Sequence, residues 1–279
     1  MTTSASHFPP IAFIGGGNMA SAVIGGLIRR GLPAGQFEVV EPFEPAREAL
    51  QQQFGITAQP APTAALTRAG LVVWAVKPQT FKDAALPVAP HTAGALHLSV
   101  AAGIRTSSIA QWLSSERIVR AMPNTPALIG QGMTGLYAHA GGVSAQERAL
   151  VEQVVATTGA YLWVEAESLL DAVTALSGSG PAYVFYFLEA MTTAGVDMGL
   201  TQAQARQLAV GTFAGAAELA RRSDEPLKVL RQRVTSKGGT THAAIESMKA
   251  DELAQRFMRA LDAAENRARE LGDEFGGAA

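Results

Sequence analysis

Short, continuous apolar runs alternate with helix-like segments through the first half of the chain. Uninterrupted runs of Val, Ile and Leu are typical of strands buried on both faces of a parallel sheet, because the intervening helices cover those faces. Residues 18–31 and 45–54 carry helical patterns between such runs. The pattern therefore predicts a mainly parallel sheet with helices on both sides. The predicted strands are residues 11–15, 37–41, 71–76, 95–101, 117–122, 133–138 and 160–164.

The hydrophobic pattern changes near residue 165. Strand-like runs disappear, and long stretches rich in Ala, Leu, Glu and Arg indicate an all-helical second domain. Several of these stretches carry apolar or small residues on more than one side, which predicts that a partner subunit covers them. The predicted divisions are a disordered tail over residues 1–10, an α/β domain over residues 11–165 and a helical domain over residues 166–279.

Composition and charge narrow the classes of function. The 279 residues carry a formal net charge of −2 and no basic block, which argues against a nucleic-acid partner or an anionic membrane surface. There is no cysteine, so disulfides and thiolate chemistry are excluded. The first residues lack the pattern of a signal peptide, and the longest apolar runs are too short to span a bilayer. We expect a cytoplasmic protein with no membrane partner.

A glycine-rich turn follows the first predicted strand. Gly15, Gly17 and Ala20 form the pattern G-x-G-x-x-A between that strand and the first helix. The first glycine permits a tight turn, the second lets the backbone approach a pyrophosphate, and the third position keeps helix and strand close. Strand, helix and second strand all stand where this fingerprint requires, which predicts a dinucleotide site. Its contacts are expected from Gly15, Gly16, Gly17, Asn18 and Met19.

Glu41 ends the second predicted strand, where a carboxylate can bind the adenosine ribose. Such a carboxylate accepts hydrogen bonds from both ribose hydroxyls and repels a 2′-phosphate. Arg47 could still bind that phosphate if the loop folds back, so the cofactor is NADPH or NADH, with a leaning toward NADH.

Loops beyond the other strands are also candidate cofactor contacts, because ligands of open α/β sheets bind outside the carboxyl ends of the strands. A plainer interpretation is that the prolines of these loops only end strands, and that Lys77 is only a solvated charge. The candidates are Ala75, Val76, Lys77, Pro78, Ala101, Ala102 and Asn124.

Groups for acid–base or metal chemistry are scarce. No lysine lies between Lys82 and Lys228, so the long helix after Pro181 has none that could act as a general acid or base. The five histidines show no spacing suited to a metal, and we predict no metal site. An oxidoreductase without such groups suits a substrate that is already electrophilic, such as a protonated imine, since hydride transfer then needs mainly positioning.

Residues 234–242, VTSKGGTTH, interrupt the helical half with small polar residues and two glycines. One interpretation is a plain connection between helices, whose glycines and threonines serve as caps and turns. The other is an anion site, in which backbone N–H groups freed by Gly238 and Gly239 open the next helix. The loop alone does not decide between the two.

Four segments together resemble the Δ1-pyrroline-5-carboxylate reductase family: ALSGSGPAYVFYFLEAM, VTSKGGTTHAAIESM, VKPQ and MPNTPA. The similarity runs from Ile11 to about Leu271, and the pattern P-x(3)-L-x(3)-VTS-x-GG-x-T-x(2)-AI-x(2)-M, which begins at Pro226, is specific to that family. The resemblance implies NAD(P)H-dependent reduction of 1-pyrroline-5-carboxylate to L-proline, the last step of proline synthesis. It also implies a Rossmann-like, doubly wound α/β domain followed by an all-α dimerisation domain.

The resemblance further implies how the loop and the assembly work. The substrate carboxylate would be bound by Ser236, Gly239, Thr240 and Thr241, and the Thr241 hydroxyl would face the ring nitrogen as the catalytic group. The protein would be a homodimer or an assembly of dimers, with its active site at the dimer interface. One segment departs from many family members: at residues 41–43 this chain has Glu-Pro-Phe, where small polar residues and an arginine would suit a 2′-phosphate.

Two matters stay open from the sequence. Residues 177–183, SGSGPAY, are either a break between helices with Pro181 at the first helical position, or a floor beside substrate and nicotinamide. Alternative functions are the reduction of another cyclic imino acid, such as the six-membered homologue, and a non-catalytic NAD(P)-binding regulator on the same scaffold.

Overall fold

The computed structural model describes residues 8–276, which form one sheet and a series of helices. The strands are β1 Ile11–Ile14, β2 Phe37–Val40, β3 Leu71–Trp74, β4 Leu96–Ser99, β5 Ile118–Met122, β6 Gly132–Ala138 and β7 Gly159–Trp163. The α-helices are α1 Asn18–Arg29, α2 Glu44–Phe54, α3 Phe81–Val88, α4 Thr106–Leu113, α5 Ala145–Val155, α6 Leu169–Val173, α7 Gly180–Asp197, α8 Gln202–Arg221, α9 Leu227–Arg233, α10 Thr240–Ala250 and α11 Leu253–Gly276. Every predicted strand is confirmed.

The strands lie in the order β2-β1-β3-β4-β5-β6-β7, and all neighbouring pairs are parallel except β5 and β6. The link between these two strands holds only a 3₁₀ turn, Thr125–Ile129, and a parallel return needs a longer crossover. The predicted mainly parallel, doubly wound sheet is confirmed. Its consequence for function is that the carboxyl ends of β1 to β5 share one edge of the sheet, which we call the cofactor edge.

Side chains of β1 alternate between two buried layers. Ile11 and Phe13 pack into a cluster that includes apolar residues of α1 and α5. Ala12 and Ile14 pack into a second cluster with residues of α3 and α4. Both faces of the strand are therefore covered by helices, which is why the sequence shows an uninterrupted apolar run there.

The predicted disordered tail does not hold for its last three residues; residues 1–7 lie outside the described part of the chain. Phe8 is 5% exposed and belongs to the same cluster as Ile11. The amide of Gly70 donates to the carbonyl of Pro10 at 3.0 Å. Burial of an aromatic side chain and this backbone bond hold residues 8–10 on the sheet.

The chain divides into two compact units. One contains the sheet, runs to Ser179 and takes in the C-terminal segment from Ala264, and the other is Gly180–Ala263. The hydrophobic pattern placed the boundary near residue 165 instead. Residues 166–179 have a helical pattern like the segments that follow, but Glu167 and Asp171 pair with arginines of the sheet-containing unit.

The second unit buries few of its side chains. Gly195 lets α8 approach α7, since a Cβ there would lie 2.8 Å from the Cβ of Ala205. Large apolar side chains on the same two helices stay exposed, among them Phe185 at 59%, Tyr186 at 70% and Leu208 at 59%. Such an apolar surface is typical of a subunit interface. No helix in the described part of the chain is both long and apolar enough to cross a membrane.

Candidate functional site

The glycine-rich turn lies at the cofactor edge, between β1 and α1. Gly15 has φ +95°, and a Cβ there would lie 2.5 Å from the carbonyl oxygen of Ala75, so only glycine fits. Gly17 is the N-cap of α1 and faces open space, where a Cβ would meet no described atom within 4 Å. The first intrahelical bond runs from the Ser21 amide to the Gly17 carbonyl at 2.9 Å. The amides of residues 17–20 precede that bond and are available to an anion.

Glu41 follows β2 and is held beside this turn. One carboxylate oxygen accepts the Gly16 amide at 2.7 Å, and the other accepts the Phe43 amide at 2.8 Å. Arg47 donates through Nη1 to the carbonyls of Glu41 at 3.0 Å and Pro42 at 2.6 Å. The carboxylate is thus fixed at the end of β2, and the guanidinium stabilises the loop that carries it.

The turns after β3 and β4 complete the middle of the cofactor edge. The Ala75 amide donates to the Ile14 carbonyl at 2.8 Å, which joins this turn to the glycine-rich turn. Lys77 is exposed and precedes a 3₁₀ turn that starts at Pro78. The Ala101 amide donates to the Ser99 hydroxyl at 3.3 Å. The structure therefore brings the predicted cofactor residues of β1, β3 and β4 to one edge; Val76 and Ala102 lie in the same two turns.

Asn124 lies just beyond β5 at the same edge, with its amide occupied by protein groups. Its Oδ1 accepts the Met133 amide at 2.9 Å, and its Nδ2 lies 3.2 Å from the carbonyl oxygen and 3.3 Å from the hydroxyl of Ser177. The predicted cofactor residue therefore ties the end of β5 to β6 and to the segment after α6.

That segment is a π-helical turn, Thr174–Gly178, which replaces the simple glycine-rich break considered from the sequence. It closes with the Ser179 amide donating to the Thr174 carbonyl at 2.8 Å. A Cβ at Gly178 would lie 2.4 Å from Cε of Met122, so the turn packs directly on the end of β5. Single π-helical turns occur frequently at functional sites.

The loop before α10 is built around Gly238 and Gly239. Gly238 has φ +75°, and Gly239 is the N-cap of α10, with its amide donating to the Ser236 carbonyl at 3.0 Å. No side chain caps the helix, and Thr240 and Thr241 are its first two residues. Their amides and that of His242 have no intrahelical acceptor, because the first such bond runs from Ala243 to Gly239. The geometry suits an anion, as the second interpretation of the loop requires.

A group of four charged side chains near α4 was not predicted. Arg105 forms a bidentate pair with Asp171 at 3.0 and 2.9 Å, and Arg120 donates to Glu167 at 2.6 Å. Glu167 also accepts the amide and the hydroxyl of Thr106 at 2.7 and 3.0 Å. We call Arg105, Arg120, Glu167 and Asp171 the charge cluster. Its members are far apart in sequence, and no local pattern marks them.

Burial lowers the pKa of both arginines of the cluster, and their acidic partners raise it. Burial lowers the pKa of Arg120, although the charge of Glu167 acts against it. Burial also disfavours the charge of Arg105, but the hydrogen bonds and the charge of Asp171 outweigh it and raise the pKa of that guanidinium. Removal of an acidic partner would leave a buried positive charge unpaired. In residues 8–276, no group of three His, Asp or Glu side chains is placed to hold a metal ion.

Comparisons with known proteins agree on one family. A family model described as pyrroline-5-carboxylate reductase dimerisation matches residues 167–271, and one described as NADP oxidoreductase, coenzyme F420-dependent, matches residues 10–103. A pyrroline-5-carboxylate reductase from Pseudomonas aeruginosa is 43% identical over 96% of this chain and 98% of its own length.

Solved structures give the same result. A pyrroline-5-carboxylate reductase from Coxiella burnetii matches with a TM-score of 0.88 and 36% identity, over 95% of this chain and 99% of that one. A pyrroline carboxylate reductase from Plasmodium falciparum, solved with NADP bound, matches with a TM-score of 0.84 and 26% identity, over 95% of this chain and 98% of that one. Relatives that are 43% and 36% identical match nearly the whole chain, which has the glycine-rich turn at the cofactor edge and the free amides before α10. The chain therefore belongs to the pyrroline-5-carboxylate reductase family.

Proposed function

We propose that this protein reduces the C=N bond of 1-pyrroline-5-carboxylate with hydride from NAD(P)H and gives L-proline. The observation that carries the proposal is the loop before α10, which combines three hydroxyls with the free amides of a helix N-terminus. The substrate has a carboxylate that such a loop would bind. Its ring imine needs no group to activate it beyond a proton, which agrees with the lack of a lysine on α7.

The residues of the loop would divide two tasks. The hydroxyls of Ser236 and Thr240 and the free amides of Thr240 and Thr241 bind the carboxylate, and Gly239 lets the backbone approach it without a side chain. The Thr241 hydroxyl hydrogen-bonds the ring nitrogen. When bound, NAD(P)H supplies the hydride that forms the new C–H bond, while the electron pair of the C=N bond passes to the protonated nitrogen. The contribution of the chain is to hold the ring, orient one face of it and exclude water.

The cofactor preference is proposed to lean toward NADH. Glu41 places a carboxylate at the end of β2, where it would accept the ribose hydroxyls and repel a 2′-phosphate. Arg47 donates through Nη1 to two carbonyls of the loop, which supports a structural role for Arg47 rather than binding of a 2′-phosphate. The remaining contacts are proposed at residues 15–19, where the amides of residues 17–19 are available, and at the turns after β3 and β4. No metal ion is part of the proposal.

The assembly is proposed to be a homodimer or an assembly of dimers. The exposed apolar side chains of α7 and α8 support it, and so does the match of residues 167–271 to a dimerisation family. Isolated chains would leave this apolar surface in water, and association removes that cost.

Steady-state assays with five- and six-membered cyclic imino acids, each with NADH and NADPH, test the proposal. We expect the five-membered substrate to be reduced with the higher kcat/KM, and L-proline to appear in equal amount to the dinucleotide oxidised. A preference for the six-membered ring would favour the reductase of another imino acid. Dinucleotide binding without turnover of either ring would favour the regulator.

A further inference from the structure

The side chain of Asn124 joins three parts of the sheet-containing unit. Oδ1 accepts the Met133 amide at the start of β6, and Nδ2 lies 3.2 Å from the carbonyl oxygen of Ser177, inside the π-helical turn. Asn124 itself follows β5 within the turn at the cofactor edge. One amide group thus sets the distance between the end of β5 and the π-helical turn.

Pro181 removes one backbone donor from the carbonyl of Ser177. In an α-helix, this carbonyl would accept the amide of the residue four positions later, which is residue 181. Proline has no N–H to donate, so this carbonyl has no α-helical donor. The Asn124 amide replaces the missing donor, and the half-buried carbonyl stays hydrogen-bonded.

The π-helical turn lies at the end of the cofactor edge opposite to Glu41. In the order β2-β1-β3-β4-β5, the adenosine ribose belongs at β2 and the pyrophosphate at β1, so the nicotinamide extends toward β4 and β5. Gly178 packs against Met122 at the end of β5. The turn therefore borders the part of the edge where hydride transfer takes place.

We propose that Asn124 is a positioning residue for imine reduction rather than a cofactor ligand: it supplies the donor that Pro181 cannot, and so fixes the π-helical turn beside the nicotinamide. The inference rests on the proposed function for its chemistry, but not for its geometry. If the π-helical turn moved by about 1 Å, the reacting groups would be misplaced and the reaction would slow by about tenfold or more. Dinucleotide affinity, which depends on the glycine-rich turn and Glu41, would remain.

The test is a double-mutant cycle on the full-length protein with Asn124→Ala, Pro181→Ala and the pair. Asn124→Ala is expected to lower kcat by about tenfold or more and to leave the Kd for NADH and NADPH within about twofold. In the pair, the Pro181→Ala change provides a backbone amide for the Ser177 carbonyl, and we expect at least about a threefold recovery of kcat. Hydrogen exchange of residues 174–180 should rise in Asn124→Ala and fall again in the pair.

Three results would overturn the inference. An increase of about tenfold in the dinucleotide Kd of Asn124→Ala would make Asn124 a cofactor ligand, and an unchanged kcat would remove it from the mechanism. A double variant that regains the wild-type melting temperature but not the wild-type kcat would mean that Asn124 stabilises the fold and does not position the turn for the reaction. If Asn124→Ala does not fold, Asn124→Asp replaces it in the same cycle, since it keeps the acceptor for Met133. Absence of wild-type turnover contradicts the proposed function instead, and the Kd and exchange measurements still decide the role of Asn124.

Discussion

Glu41 has both carboxylate oxygens in hydrogen bonds to backbone amides, so its position beside the glycine-rich turn is fixed before any ligand binds. We expect the kcat/KM for NADH to be at least equal to that for NADPH. Glu41→Ser should shift the ratio toward NADPH, because it removes the charge that repels a 2′-phosphate. The measurement is the ratio of kcat/KM for the two dinucleotides. Glu44→Ser is the control, since it removes a nearby charge at the first turn of α2. A wild type that strongly prefers NADPH would contradict this assignment.

Thr241 is the second residue of α10 and not its cap, so its hydroxyl is available to the substrate. We expect Thr241→Ala to lower kcat by about ten- to a thousandfold, or about 1.4–4 kcal/mol of barrier. The KM should change less, because the amides that bind the carboxylate remain.

Thr201→Ala is the control for this prediction. Thr201 caps α8 in a capping box, so its loss should lower stability by about 1 kcal/mol and leave kcat unchanged. Steady-state kinetics and thermal unfolding of both variants separate the two effects. A Thr241→Ala protein with the wild-type kcat would remove Thr241 from the mechanism.

His97 in β4 makes stability depend on pH. It is 1% exposed, accepts the Trp74 indole N–H at Nδ1, and leaves Nε2 without a partner among residues 8–276. Burial, helped by the charge of Arg117, lowers its pKa from 6.5 to about 4. The unfolded chain therefore takes up this proton first, so stability is full above pH 6.5 and falls by about 1.4 kcal/mol per pH unit toward pH 4.

Urea unfolding at several pH values between 7 and 4.5 measures this effect. His97→Asn keeps an acceptor for Trp74 but does not titrate, so its stability should fall less over the same range. Parallel pH dependences of the wild type and the variant would show that other groups govern the acid response.

The charge cluster fastens the segment that contains α6 to β5 and to the residue before α4. Arg120 has only 6% of its side chain exposed, and its partner Glu167 has 21%. Glu167→Ala should therefore cost about 3–5 kcal/mol of unfolding free energy, since it leaves a buried guanidinium unpaired. Replacement of both residues by apolar ones, Arg120→Met with Glu167→Leu, should cost less.

Glu218→Ala is the comparison for this prediction, because Glu218 pairs with Arg221 on the surface of α8 and such pairs contribute about 1 kcal/mol or less. Urea unfolding of the three proteins gives the values. Equal costs for Glu167→Ala and Glu218→Ala would mean that the cluster does not hold α6.

The strands could be predicted because each depends on a local pattern. β3 shows four consecutive buried residues in the sequence LVVW, and the glycine-rich turn carries its own spacing. The segment 166–179 could not be assigned to its unit in this way. Its helical pattern resembles that of α7, whereas its attachment depends on ion pairs with Arg105 and Arg120, about fifty or more residues earlier in the chain.

The candidate site residues show the same difference between local patterns and distant contacts. Gly15, Glu41 and the loop before α10 occur at fixed distances from strands and helices, so the sequence could indicate them. The hydrogen bonds of Asn124 could not be foreseen, because its partners Met133 and Ser177 come from two other elements. The sequence pattern predicts a cofactor contact at this residue, and the structure shows the hydrogen bonds that support its proposed positioning role.

A single chain leaves the second unit with too little buried surface. Only small or short side chains of α7 and α8 are buried, namely Thr192, Gly195, Ala205 and Ala209. A Cβ at Gly211 or Gly215 would meet no atom of the described chain within 4 Å. These glycines therefore make no close contact within residues 8–276, which supports the proposed contact with a second subunit. The hydrophobic pattern predicted that a partner subunit covers these helices. It could not predict how two subunits pack, because that depends on contacts between separate chains.

The most direct test of the whole account compares 1-pyrroline-5-carboxylate with 1-pyrroline, the same cyclic imine without its carboxylate. If the loop before α10 binds that carboxylate while the ring is reduced, loss of two charge-assisted hydrogen bonds should lower kcat/KM by about a hundredfold or more. The wild-type protein should convert 1-pyrroline-5-carboxylate to L-proline, with one dinucleotide oxidised for each molecule formed. Similar kcat/KM values for the two imines, or oxidation of the dinucleotide without L-proline, would contradict the account.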